Sequence, residues 1–589
     1  MAAADADKIV KETVAALQAA TDQLTAADGP FPLAFENLTH FGTTQKYLCF
    51  QDGPNSVVYH TLRDMYADCF ARNYDKTFVV YEGERMTFGE VWEQAASLAR
   101  VLEKDYGICR GDCIAVAGRN TPQWVISFVA AAGFLSCAAL PVNSWWIGEE
   151  LQYGLEDSGA KVLLADAFIL ARSPFLNDIK VPAILMRGKP DGELPAGTRT
   201  LEEVVSVGRE MPPLKMRPVD KDDVAMIMYT SGTTNKPKGV VQTHRAIMTS
   251  INGYRMLAAL RVRESKLQPA ALVGSPLFHV TGTHAGLLAC IFNGAKMCLM
   301  YKWDPTVALQ LIQDEKCENI VGVPTMTYEL ANHPNLDKYD TSTLTAVGGG
   351  GSQFSPPMIK RVNDKIKTAQ AATAYGMTET NAITVVMPGA LFPLRPNSCG
   401  LPLCHLKVCI LDEYNKKAAV GQVGEICFHG ATLLKEYYNK PDKTQEVFHI
   451  DEEGLLWMRT GDLGMMDEDN FVYVVDRAKD LIIRGGENIS CSEVETAVFE
   501  HPAITEVAAV GMPHENLGEV VAVAVVVKPG MAVPSPEEIK AVASKKLAAF
   551  KVPTEIYFWP DSLPRGATGK IQKREIRDQL KAKREQSKL

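Results

Sequence analysis

The sequence predicts an α/β protein: a large multi-layer N-terminal domain of sheets and helices, then a small α/β C-terminal domain. Apolar strand-like runs alternate with helical patterns along most of the 589 residues, as at 78–81, 113–117, 161–165 and 224–229. Many of these runs are unbroken Val/Ile/Ala segments, the pattern of sheets covered on both faces. Near Asp476 the character changes to short alternating units. These are a turn at 484–488, a helix from Ser492, a strand at 505–511, an apolar run at 520–527 and a last helix from near Pro536. The expected units are an N-terminal helical extension over 1–29, a large domain over 30–475, a small one over 476–586, and a terminal tripeptide at 587–589.

Each element follows from its residues. Residues 1–28 are Ala-rich and begin with acidic side chains, without the basic start and apolar stretch of a secretory signal. Leu17, Leu24 and the alanines around them give a weakly amphipathic helix, expected as a surface appendage. No charge occurs from 120 to 148, a length that could cross a bilayer, but Pro122, Gln123, Pro141 and Asn143 interrupt it. A buried helix followed by a buried strand at 138–142 is expected there, and no transmembrane segment. From Arg565 onward nine Lys or Arg stand against three acidic residues, which reads as a solvated helix face. The last three residues, Ser587, Lys588 and Leu589, are the tripeptide that peroxisomal import receptors read at a free C-terminus, so the peroxisomal matrix is the expected location.

Composition narrows the function. A net charge of −9 argues against a nucleic-acid partner. The thirteen cysteines include no CxxC pair, and the spacings of Cys109/Cys113 and Cys399/Cys404/Cys409 suit neither a zinc ribbon nor a zinc finger. Reduced, buried thiols are expected, without zinc.

The first chemical signal is Tyr229-Thr-Ser-Gly-Thr-Thr-Asn-Lys-Pro-Lys-Gly239, which follows an apolar strand. A loop dense in Gly, Ser and Thr with two lysines can wrap phosphate in backbone N–H groups and hydroxyls. It is not a Walker A loop, because Gly232 is not followed by the required gap and Gly-Lys-Ser/Thr. Nor is Gly348-Gly-Gly-Gly351 a dinucleotide fingerprint, since Gln353 stands where the last glycine should be.

This loop resembles that of the adenylate-forming superfamily: acyl-CoA synthetases, 4-coumarate–CoA ligases, beetle luciferases and peptide-synthetase adenylation domains. Other segments follow in the family's order: Pro276-Leu-Phe-His279, Gly348 to Gly351, Tyr375-Gly-Met-Thr-Glu-Thr380, Gly424-Glu425, Arg459-Thr-Gly-Asp-Leu-Gly464, Asp476-Arg-Ala-Lys-Asp480 and Gly566-Ala-Thr-Gly-Lys570. Together they extend over roughly 78–574.

The resemblance implies an ATP-dependent, Mg²⁺-assisted carboxylic acid–CoA ligase that works through an acyl-adenylate. Thr230, Ser231, Gly232, Thr233, Thr234, Lys236 and Lys238 would hold the β- and γ-phosphates. Tyr375, followed by Gly376, would stack on adenine, and the backbone of Gly349, Gly350 and Gly351 would line the adenine and acyl pockets. Thr378 would contact the α-phosphate, Glu379 would hold Mg²⁺, and Asp462 with Arg477 would fix the ribose. Lys570 would bridge the ribose oxygen and the reacting carboxylate. The family's small domain rotates about a residue that is Lys479 here, bringing Gly485 and Gly486 to the pantetheine tunnel for CoA. His279 would gate the acyl or CoA pocket rather than bind metal.

Three departures concern nucleotide geometry: Asn235 replaces the loop's second glycine, Thr373 stands where Gln or Asn often meets adenine, and Glu436 precedes Tyr-x-Asn in place of Gly. Amino-acid activators carry an aspartate in the pocket segment, and Phe278-His-Val-Thr-Gly282 has none. The glycine row and the peroxisomal tripeptide make a medium- or long-chain fatty acid the first expectation. An aryl acid of the coumarate type is the second, and luciferase-like oxygenation after the same adenylation a third.

Overall fold

The computed structural model describes residues 3–40, 43–146, 148–230, 236–260, 266–350, 356–387, 389–477, 480–485, 487–566 and 569–586. Within these, the unbroken apolar runs form the centres of two large sheets. In the first, Ala160–Ala165, Cys113–Ala117, Ala138–Val142 and Val224–Thr230 lie side by side in parallel, and Lys238–Thr243 returns antiparallel. The second runs in parallel through Thr77–Tyr81, Lys296–Leu299, Ala270–Val273, Asn319–Val321, Ala346–Gly349 and Gln370–Met377, before Ala382–Val386 reverses. One core joins residues of both sheets, Ile114 and Val116 with Val79, Val273 and Met297, through helices such as Leu62–Arg72 and Phe88–Asp105. Strands buried on both faces explain the missing alternation.

The uncharged stretch folds inward as expected. Thr121 caps helix Pro122–Val129 by accepting from Trp124 N, with Pro122 in the first turn where its missing N–H costs nothing. A π-helical turn, Ala130–Phe134, and the strand Ala138–Val142 continue the buried run. No described helix is long and apolar enough to cross a membrane.

The N-terminal helix departs from expectation. Ala3–Thr25 is docked, not appended: Val10 is fully buried and packs with Val14 and Leu17 into the outer core of the second sheet. Asp7 adds an ion pair to Arg395 at 3.2 Å. The apolar stripe is only one side chain wide, so its pattern in the sequence is faint although Val10 is fully buried and Val14 and Leu17 are partly so.

A third, antiparallel sheet carries Leu406–Leu411, Gly424–Gly430 and Leu456–Met466, and its strand Val472–Arg477 runs past the boundary expected at 475/476. The small domain's own first strand is Ile482–Arg484. Its hairpin Ile504–His514/Gly518–Val527 packs on helix Cys491–Phe499, capped by Ser490. Helix Pro536–Ala543 is not the last; Lys573–Gln586 follows. Among its described side chains that helix buries Ile576 and Leu580, and its basic face is paired rather than merely solvated: Lys573 meets Glu495 at 2.8 Å, and Arg577 meets Glu519. Tyr328 joins the two domains by packing into the small domain's core, with its ring 5.8 Å from that of Phe499. All thirteen thiols are unbridged, and only Cys109 is exposed.

Helix Leu201–Arg209 packs so closely on Phe88–Asp105 that a Cβ on Gly208 would stand 2.0 Å from Ser97 O. Backbone against backbone cannot give way cheaply, so Gly208→Ala is expected to destabilise the large domain by about 1–3 kcal/mol. A lowered urea midpoint in tryptophan fluorescence would register it.

Candidate active site

The strand Gln370–Met377 delivers Tyr375 and then turns sharply. A bulge falls between Tyr375 and Gly376, and a Cβ on Gly376 would lie 1.7 Å from Ala382 O, so only glycine fits this reversal. The short turn that follows, Thr378–Thr380, holds Thr378 and Glu379 buried. It is tied down from several sides: Gln242 Nε2 donates to Thr378 O at 2.9 Å, and Leu434 N donates to Glu379 O at 2.7 Å. Asn381, in the left-handed region at φ 55°, donates to Thr432 O and receives Ser250 Oγ on its carbonyl. The Tyr437 hydroxyl donates to Glu379 Oε1 at 2.8 Å, and the Lys238 ammonium sits 4.0 Å above the same Tyr437 ring.

The third sheet supplies the opposite wall. Asp462 and Arg477 face each other across paired strands, with Arg477 Nε 3.3 Å from Asp462 Oδ1. The Tyr375 hydroxyl donates to Asp462 Oδ2 at 2.7 Å, which fixes the ring. Burial and the neighbouring Asp462 charge hold that phenol protonated.

Lys570 enters from the small domain, beside hydrogen bonds made by its described neighbours. Gly566 N donates to Lys570 O at 2.8 Å, Gly569 turns the chain at φ 78°, and Arg565 both donates to Gly569 O and pairs with Glu506 at 3.0 Å. Burial, seconded by the Arg477 charge, pushes the Lys570 ammonium down to about 8, while Asp462 and Glu379 pull the other way. Lys570 in turn adds to the burial that pushes His279 down to about 3. His279 is therefore a neutral imidazole at any physiological pH, fit for shaping the cavity and unfit for trading protons near neutrality.

These groups line one open cavity of about 2990 Å³. Thr230, Lys238, His279, Gly348, Gly350, Thr373, Tyr375, Gly376, Thr378, Glu379, Asp462, Arg477 and Lys570 all border it. A Cβ on Gly350 would meet nothing within 4 Å, so the wall is open at that residue. Gly349 lies on its strand opposite Thr373. Lys236 is placed 4.9 Å over the Tyr153 ring, outside the cavity lining. Gly485 makes a tight turn at φ 60°, its N–H donating to Leu517 O, and does not border the cavity in this arrangement. Ser231, Gly232, Thr233, Thr234, Asn235, Gly351, Lys479, Gly486 and the tripeptide 587–589 lie outside the described residues. Sequence reasoning missed Tyr437, Gln242 and Asn381. Tyr437 stands in the Tyr-x-Asn segment and could have been found there; the other two carry no signal beyond their neighbours.

A carboxylate and a phenol clasped on one wall, a buried Thr-Glu turn on another, and a lysine inserted from a second domain form one polar site. Residues 67–438 match the AMP-binding enzyme family and 493–570 match its C-terminal domain, so the chain belongs to the AMP-binding enzymes. It is 32% identical to the long-chain-fatty-acid–CoA ligase of Bacillus subtilis over 88% of this chain and 94% of that protein. It is 30% identical to the human mitochondrial medium-chain acyl-CoA ligase ACSF2 over 85% and 84%. The solved o-succinylbenzoate CoA synthetase (MenE) of Bacillus subtilis with ATP and magnesium ion superposes with a TM-score of 0.72 at 27% identity, spanning 88% of this chain and 99% of that one. The α/β architecture with a large N-terminal and a smaller C-terminal domain is that of these adenylate-forming enzymes.

The position of Lys570 sets a pH dependence. Its charged form, the one able to meet anionic oxygens, dominates below about pH 8 and is lost above it. The kcat/KM for ATP–pyrophosphate exchange should fall above about pH 8 with the slope of a single ionisation, measured at saturating acid.

Proposed function

We propose that this enzyme is an AMP-forming acid–thiol ligase that converts a fatty acid, ATP and CoA to acyl-CoA, AMP and pyrophosphate. The observation that carries it is Lys570, held in the cavity within reach of the Asp462 and Glu379 charges although it belongs to the other domain. In the first half-reaction a carboxylate oxygen attacks the α-phosphorus, pyrophosphate leaves, and an acyl-adenylate forms. In the second the CoA sulfur attacks the acyl carbon, and AMP departs with the bonding electrons. Both steps concentrate negative charge on phosphate oxygens, which fixed cations and donors offset.

Asp462 takes the ribose hydroxyls, oriented by Tyr375 and Arg477, and Tyr375 presents its ring to adenine. Thr378 donates to the α-phosphate, Lys238 and the glycine-rich loop hold the outer phosphates, and Lys570 bridges the ribose oxygen and the carboxylate. Glu379 suits Mg²⁺, which takes one or two carboxylates and completes its shell with phosphate oxygens and water. Bound there, the ion would neutralise charge on the leaving pyrophosphate. His279 shapes the passage between acid and nucleotide. Rotation about Lys479 withdraws Lys570 and brings Gly485 and Gly486 toward the cavity to form the CoA tunnel.

Three features support a medium- or long-chain fatty acid as substrate. Two of the relatives named above are named for long-chain and medium-chain acids, a Cβ on Gly350 would meet open space, and apolar side chains such as Met256, Leu257 and Leu403 border the cavity. CoA-dependent AMP formation across fatty acids, cinnamates, benzoates and amino acids tests this; thioester from cinnamates alone would replace the fatty acid with an aryl acid. Lys570→Ala should abolish pyrophosphate exchange yet leave thioester formation from a supplied acyl-adenylate within about threefold of wild type. Equal loss of both half-reactions would remove the two-station account. Ser587-Lys588-Leu589 supports peroxisomal import. A fluorescent protein placed before this chain should enter peroxisomes, and deletion of the tripeptide should leave it in the cytosol.

A further inference from the structure

We propose that the N-terminal helix Ala3–Thr25 walls the end of the substrate cavity farthest from Lys570 and thereby limits the length of acid the enzyme takes, an inference that rests on the fatty-acid reading above. The helix lies wholly outside 67–438 and 493–570, so the family match does not account for it. Thr13, Val14, Leu17, Gln18 and Thr21 border the cavity. With fully buried Val10 they recur at helical spacing on one face.

Contacts locate that face. Helix His244–Ala259 starts beside the Gln242–Thr378 bond, at the nucleotide end, and its Tyr254, Met256 and Leu257 border the cavity. From His244 to Met256 it rises about 18 Å. At that far end Cys404 Sγ lies 3.6 Å from Met256 Sδ, and a Cβ on Gly253 would lie 2.6 Å from the His405 ring. Leu24, on the last turn of the N-terminal helix, joins the cluster of Met256, Phe31 and Phe50. Leu391, Phe392, Leu394 and Leu401 belong to the same apolar cluster as Val10, Val14 and Leu17, and Leu401 also borders the cavity. Arg395 locks it there, pairing with Asp7 at 3.2 Å and Asp469 at 3.1 Å. With its carboxylate at Lys570, an acid extends its tail toward Leu17, Thr21, Leu403, Cys404, Met256 and Leu257.

The test compares kcat/KM for thioester formation from short and long straight-chain acids. Thr21→Trp and Gln18→Trp should each lower the long-to-short ratio by about tenfold or more. Ala19→Trp, on the exposed opposite face, should keep the wild-type ratio and reports whether a tryptophan on this helix harms folding. An active wild type whose ratio is unchanged in both Thr21→Trp and Gln18→Trp overturns the proposal, and so does equal loss at all lengths with Ala19→Trp intact. A wild type that forms no thioester from any acid removes the fatty-acid reading itself, and this wall with it.

Discussion

The active arrangement depends on holding one ammonium group out of water between two domains. Burial disfavours the Lys570 ammonium and the Arg477 charge adds to this, while the Asp462 and Glu379 charges oppose it. The same two carboxylates are the ones assigned to ribose and to Mg²⁺. The residues proposed to bind the nucleotide are therefore also those whose charges favour the Lys570 ammonium between the domains. Tyr328, packed into the small domain's core, adds an apolar contact between the two domains.

Rigidity around the site has a common source in backbone proximity. Gly376 and Gly400 flank the strand Ala382–Val386, and a Cβ on either would overlap a carbonyl oxygen, Ala382 O or Val386 O. Side-chain bonds from Gln242 and Ser250 fix the acidic turn to the neighbouring strand and helix. Tyr437 serves two charges at once, through its hydroxyl to Glu379 and its ring face to Lys238, so the metal-side and phosphate-side groups share one scaffold. Preorganisation of this kind is what charge-stabilising catalysis requires.

Much of this was legible in the sequence. The unbroken Val/Ile/Ala runs gave away covered sheets, and the ordered motifs placed Tyr375, Thr378, Glu379, Asp462 and Lys570 together although almost two hundred residues separate the first from the last. What escaped has a physical reason. The N-terminal helix buries a stripe one residue wide, which barely raises its amphipathic signal. The helix Lys573–Gln586 hides two core residues, Ile576 and Leu580, in a highly charged run. Tyr437, Gln242 and Asn381 act through contacts between distant segments, which local patterns do not register.

The segment that carries Lys570 is held at its described ends, by Arg565 to Glu506 and by Gln572 N to Pro564 O, which ties the lysine to the small domain. In the proposed two-step reaction it would therefore leave with the whole small domain. Under that scheme the acyl-adenylate has to outlive one complete domain swing before thiol arrives, and during that interval its defence against hydrolysis is the enclosure around it. Leakage to free acid and AMP would therefore measure how long the swing takes, and a slower hinge would waste ATP even if every catalytic group were intact.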